Sequence, residues 1–92
     1  MVTAIVLINA ATDKVSQLAR QLTEIEGVTE VFSVAGRWDL VVLVKVGEHA
    51  QLATVVSDAI RKAPGITHSE TLIAFRAYSR RELETAFSLG TD

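Results

Sequence analysis

Apolar residues follow two different rhythms along this chain. Val2 to Ile8 is an almost unbroken aliphatic run, the pattern of a strand covered on both faces. The spacing then changes. Val15, Leu18, Ala19, Leu22 and Ile25 recur at helical intervals, with Thr12 or Asp13 placed to cap the start and Gly27 to stop the end. Val28 to Ala35 predicts a second strand and Leu40 to Val46 a third, joined by a turn through Gly36-Arg37-Trp38-Asp39. Gly47 and Glu48 open a second helix whose apolar stripe is Leu52, Val55, Val56, Ala59, Ile60 and Ala63, and Pro64-Gly65 closes it. Ile66 to Tyr78 predicts a long extended segment. Ser79 and Glu82 then stand at capping-box spacing ahead of Leu83, Ala86 and Phe87, which predicts a short terminal helix within residues 80–89.

The pattern repeats. A shift of 38 positions lays Val15 on Ala53, Leu18 on Val56, Leu22 on Ile60, Gly27 on Gly65 and Val28 on Ile66, so the chain is two strand-helix-strand units in tandem. Joined by a hairpin, they give the order βαββαβ: an α+β, ferredoxin-like sandwich, an antiparallel four-stranded sheet with two helices on one face. Right-handed crossovers place both helices on that face. A parallel α/β fold needs more than two helices. The expected division is a domain over residues 1–79 and a helical tail over residues 80–92. Leu40, Val42, Val44 and Val46 point one way from their strand and Val41 and Leu43 the other, which leaves aliphatic surface on the uncovered side. A second sheet is expected to seal it, forming a homodimer of the dimeric α+β-barrel kind.

Composition narrows the chemistry. Apolar residues make up 49% of the 92 and aromatics only 5%, so the core is aliphatic and suits tightly spaced layers better than a deep cofactor cavity. A formal charge of −2 supplies no footprint for a phosphate backbone, and direct nucleic-acid binding is not expected. The N-terminal apolar run is too short to cross a bilayer and lacks a basic leader; with no cysteine in the chain, a cytoplasmic location and no membrane partner are expected. His49 and His68 lack metal-ligand spacing, the serines lack a paired base, and the glycines are isolated. No cofactor, metal or catalytic residue is expected. His49, in the first turn of the second helix, has a second reading as a neutral donor facing a pocket.

The hairpin segment Gly36-Arg37-Trp38-Asp39 holds the one tryptophan of the chain. Its residues can serve the turn itself: Gly36 a positive φ, Asp39 a partner for turn amides, Trp38 a cover over the hairpin. They also suit a small zwitterion at an oligomer rim, which needs backbone N–H groups, an aromatic wall and a carboxylate.

The stretches VFSVAGRWDLVVLVKV and APGITHSETLIAF resemble the effector-binding domain of the Lrp/AsnC family of feast/famine transcription regulators, over Val2 to about Tyr78. The matching features are Gly-x-x-Asp between strands two and three, the Pro-Gly-Ile helix exit, and Thr71-Leu72-Ile73 in the last strand. The resemblance implies sheet-to-sheet dimers that associate further, such as into an octamer, with an amino acid or related small metabolite bound between dimers. Carried over, the effector site is Gly36, Arg37, Trp38 and Asp39 with Thr71, Leu72 and Ile73. Two departures stand out. The family's N-terminal helix-turn-helix does not precede the first strand, so a stand-alone sensing and oligomerisation domain is expected, acting by itself or co-assembling with full-length Lrp/AsnC regulators. Leu40 follows the aspartate where the family often has an aromatic residue, and the aromatic is displaced to Trp38. Competing functions are a small enzyme of the dimeric α+β-barrel type, monooxygenase- or isomerase-like, and a purely structural oligomer.

Overall fold

The computed structural model describes residues 1–78 and Arg80. The expected terminal helix and the tail domain over residues 80–92 therefore lie, Arg80 apart, outside the described residues. The elements are β1 (Val2–Ala10), a 3-10 turn (Thr12–Lys14), α1 (Val15–Thr23), β2 (Val28–Ser33), β3 (Leu40–Val46), α2 (His49–Ala53) running into a π-helical segment (Thr54–Ile60), and β4 (Ile66–Ala74). The strands form one antiparallel sheet in the order β2-β3-β1-β4. This is the ferredoxin-like α+β arrangement, with the two most aliphatic strands at its centre.

Strand alternation divides the sheet into two surfaces. Ala4, Val6 and Ile8 of β1 and Leu40, Val42 and Val44 of β3 are fully buried, and Val6 lies opposite Val42 in the register, so these side chains share the helix-covered face. They pack with Leu18 and Leu22 of α1 and with Leu52, Val55 and Ile60 of the second helix. Each such leucine or isoleucine contributes about 1.5–3 kcal/mol by leaving water. The opposite parity forms the open face: Ile5 pairs with Leu43 and Leu7 with Val41, all half-buried, while Phe32 and Leu72 beside them are 44% and 46% exposed.

The repeat reaches the backbone. Gly27 and Gly65 hold φ of +99° and +100°, a region that favours glycine. Two residues beyond each glycine the register skips a residue, between Val28 and Glu30 on β2 and between His68 and Ile66 on β4. Thr29 and Thr67 are therefore equivalent bulge residues, and bulges of this kind bend a strand as it enters the sheet.

Several local expectations are corrected. Neither Thr12 nor Asp13 caps α1: both lie inside the 3-10 turn, closed by the Lys14 N–H donating to the Ala11 carbonyl at 2.8 Å. Backbone bonding has taken over the capping role. β1 continues to Ala10 and β2 stops at Ser33, so the connection is a wide loop over residues 34–39 closed by the Val34 N–H on the Asp39 carbonyl at 3.0 Å. The second helix begins after Glu48 as expected, and the structure adds a reciprocal capping box between Glu48 and Gln51. It then widens after Ala53 into π geometry, shown by the Arg61 N–H donating to the Val56 carbonyl at 3.0 Å.

Truncating Leu22, which is fully buried, to alanine is expected to lower unfolding free energy by about 2–5 kcal/mol in chemical denaturation, because the cavity cannot fully collapse. Gly27→Ala is expected to cost about 1–3 kcal/mol from the left-handed backbone alone, and more in total, since a Cβ there stands 3.0 Å from Val55 and 3.1 Å from Val46. A variant as stable as the parent in the same measurement contradicts that account.

Candidate functional site

The 34–39 loop rises at one end of the two central strands, and its geometry begins with Gly36. That residue holds φ +128° with open space where a Cβ would stand, so glycine is required for the turn's conformation and not for clearance. Val34, Ala35, Gly36 and Arg37 are exposed, whereas Trp38 and Asp39 are half-buried. The loop thus offers its tip to solvent and tucks its base against the sheet.

Asp39 is what fixes the base. Its carboxylate Oδ2 accepts from the Ala10 backbone N–H at 2.9 Å, and its own N–H donates to the Ile8 carbonyl at 3.0 Å. Both partners belong to the end of β1, so the loop between β2 and β3 is tied to a strand far away in sequence. The expectation that Asp39 serves amides of its own turn is therefore corrected: the carboxylate satisfies the last β1 donor, which lies beyond the β1–β3 pairing. Nothing local in the sequence marks Ala10 as a partner.

Thr71, Leu72 and Ile73 lie on β4, an edge strand. In the register Thr71 faces Val6, Leu72 faces Ile5 and Ile73 faces Ala4. Thr71 and Ile73 accordingly share the helix side and Leu72 the open side, yet all three are exposed, because the helices cover the centre of the sheet and leave its outer strand bare. The two groups of expected site residues are not brought together within one chain. Asp39 is anchored at Ala10 and Thr71 at Val6, four residues or about 13 Å apart along β1.

His49 and His68 are both exposed, and His68 pairs with Asn9 on the open face. The reading of His49 as a pocket donor gains no support from that exposure. Among the described residues, no three His, Cys, Asp or Glu side chains gather as a metal site. No helix among them is long and apolar enough to cross a membrane.

Comparison with known proteins bears on the family and the fold. The sequence profile of the Lrp/AsnC ligand binding domain matches residues 3–83. An HTH-type transcriptional regulator of Pyrococcus furiosus, itself uncharacterized, is 32% identical over 76 residues, covering 79% of this chain and 51% of that protein. The chain spans about half or less of the length of the curated relatives it matches. A solved protein of Thermus thermophilus is 42% identical with a TM-score of 0.81, covering 87% of this chain and 100% of that one. A Neisseria meningitidis transcriptional regulator solved in complex with L-Met shares the fold at a TM-score of 0.75 but only 14% identity, covering 86% of this chain and 53% of that one. The ferredoxin-like sheet, the Gly-x-x-Asp loop anchored on β1 and the profile match over nearly the whole chain lead to one conclusion: this chain belongs to the Lrp/AsnC family, in which it corresponds to the ligand-binding domain of transcription regulators.

Proposed function

We propose that this chain is an effector-sensing and oligomerisation domain, which dimerises through the open face of its sheet and takes an amino acid or related small metabolite at the 34–39 loop, between dimers. The observation that carries this is the separation of Gly36–Asp39 from Thr71–Ile73 within one subunit. A site using both groups is completed only when a second copy brings its β4 to the loop of the first. The exposed run Thr71–Ile73 on an edge strand is free to do so.

The open face supplies the drive to associate. Ile5, Leu7, Val41 and Leu43 sit side by side at its centre, with Phe32 and Leu72 on their flanks, and burying such a patch against its twin contributes about 25 cal/mol for each Å² removed from water. In the loop, one carboxylate oxygen of Asp39 is held by Ala10, which orients the other toward a ligand ammonium. Exposed turn amides would then hold the ligand's carboxylate. An assembly of this kind responds to a ligand only as far as its oligomeric forms differ in affinity. Co-assembly with full-length regulators of the family would change how many DNA-binding heads one ring carries. A net charge of −2 supports leaving DNA contact to those partners.

Light scattering behind size-exclusion is expected to give a dimer or higher multiple at micromolar concentration, and Leu43→Glu, which plants a charge in the open face, is expected to shift it to monomer. A monomeric parent protein would overturn the reading. In a thermal screen of the twenty amino acids, a true effector at a hundred times its dissociation constant adds about 2.7 kcal/mol of stability. Asp39→Asn keeps an acceptor for the Ala10 N–H and is expected to fold normally while losing that response. Asp39→Ala loses both and is expected to be destabilised by about 1–3 kcal/mol through the orphaned amide.

A further inference from the structure

The two halves of the repeat are not equal where each helix meets the strand entry of the other half. Behind Gly65, a recess of about 90 Å³ is lined by Lys14, Gln17, Leu18, Gln21 and Pro64, and a Cβ on Gly65 would touch the Lys14 side chain at 3.0 Å. Behind Gly27, at the equivalent place, the opening is about 540 Å³. The shift of 38 positions explains the difference: Gln17 becomes Val55 and Gln21 becomes Ala59. Long polar side chains line the first, smaller recess. Short apolar ones leave the second open, and the helix lining it is wound as a π-helix from Thr54 to Ile60, a geometry that recurs at functional sites.

The cleft is chemically specific. Its floor is Ile25, Val46, Val55 and Ala59, and its lining includes one acid, Glu26, and one base, Lys45. Gln51 stands at its edge with its carbonyl oxygen held by the Glu48 N–H at 2.9 Å, so its amide NH₂ is a pre-oriented donor. The volume lies in the range of small-molecule sites, with room for more than one amino-acid side chain. The cleft borders the Val46 end of β3, whereas the 34–39 loop precedes its Leu40 end. It is a different place on the molecule.

From this asymmetry we infer that the Gly27 cleft is a second ligand site, one that takes an aliphatic zwitterion of about dipeptide size. Its ammonium meets Glu26, its carboxylate meets the Gln51 amide and the Lys45 charge, and its side chains lie on Val55 and Ala59. The inference does not depend on the loop site.

The test is a titration of the isotopically labelled full chain with leucyl-leucine, followed by amide NMR. Shifts are expected at Gly27, Gly47, Thr54 and Val55. Ala59→Gln, which restores the filler present in the first half, is expected to abolish them, and Glu26→Gln or N-acetylation of the dipeptide to weaken binding about tenfold or more. The exposed Glu26 position keeps the test valid should Ala59→Gln disturb folding. Absence of shifts at these amides at millimolar dipeptide overturns the inference, as does binding unchanged by Ala59→Gln or equally strong acetylated peptide. Shifts confined to Gly36–Asp39 overturn it too, while leaving the loop site standing.

Discussion

The antiparallel pairing of β1 with β3 is the constraint on which the other parts of this molecule rest. Val2 meets Val46 and Ile8 meets Leu40 along one continuous register, with aliphatic side chains on both faces. On one face the helices bury Ala4, Val6, Ile8, Leu40, Val42 and Val44 at the centre of the pair. The register leaves no freedom in which face that is, because a slip of one residue would turn every buried side chain to the other side. The same pairing ends at Ile8, and the donors of β1 beyond it must find partners elsewhere. For the Ala10 N–H that partner is Asp39.

Tying a loop to the end of a central strand preorganises it. The 34–39 loop would otherwise be a long exposed connection with little to hold it, yet Trp38 and Asp39 are half-buried and Asp39 is bonded to β1. A preorganised loop loses less entropy when a ligand or a neighbouring subunit docks on it. Its tip, from Val34 to Arg37, stays exposed. The carboxylate that shapes the loop is the one the proposed effector site also uses, so a substitution that keeps the acceptor distinguishes its structural role from the proposed one.

Internal repetition gives the fold its economy and its asymmetry. Glycines at +99° and +100°, the bulges after them and the helices before them are equivalent in both halves. The halves depart from equivalence in a 3-10 entry to the first helix, π winding in the second, and a small recess in one half against a larger cleft in the other. Short side chains at Val55 and Ala59 are compatible with a well-packed core, since Leu52 and Ile60 on the same helix are buried.

By itself the sequence determined the element order, the tandem repeat, the aliphatic core and the two-faced strands, because these follow from side-chain periodicity, which is local and repeats over many residues. It also marked Gly36–Asp39 as unusual, since glycine, tryptophan and aspartate between aliphatic runs are legible in one stretch. What Asp39 bonds emerges only on folding, because Ala10 is 29 residues away and carries no side-chain signal. The same holds for the distance between the loop and Thr71–Ile73, for the exposure of β4 on both faces, and for the cleft behind Gly27. Each depends on which strands become neighbours and how far the helices reach across them, and those are properties of packing that no periodicity records.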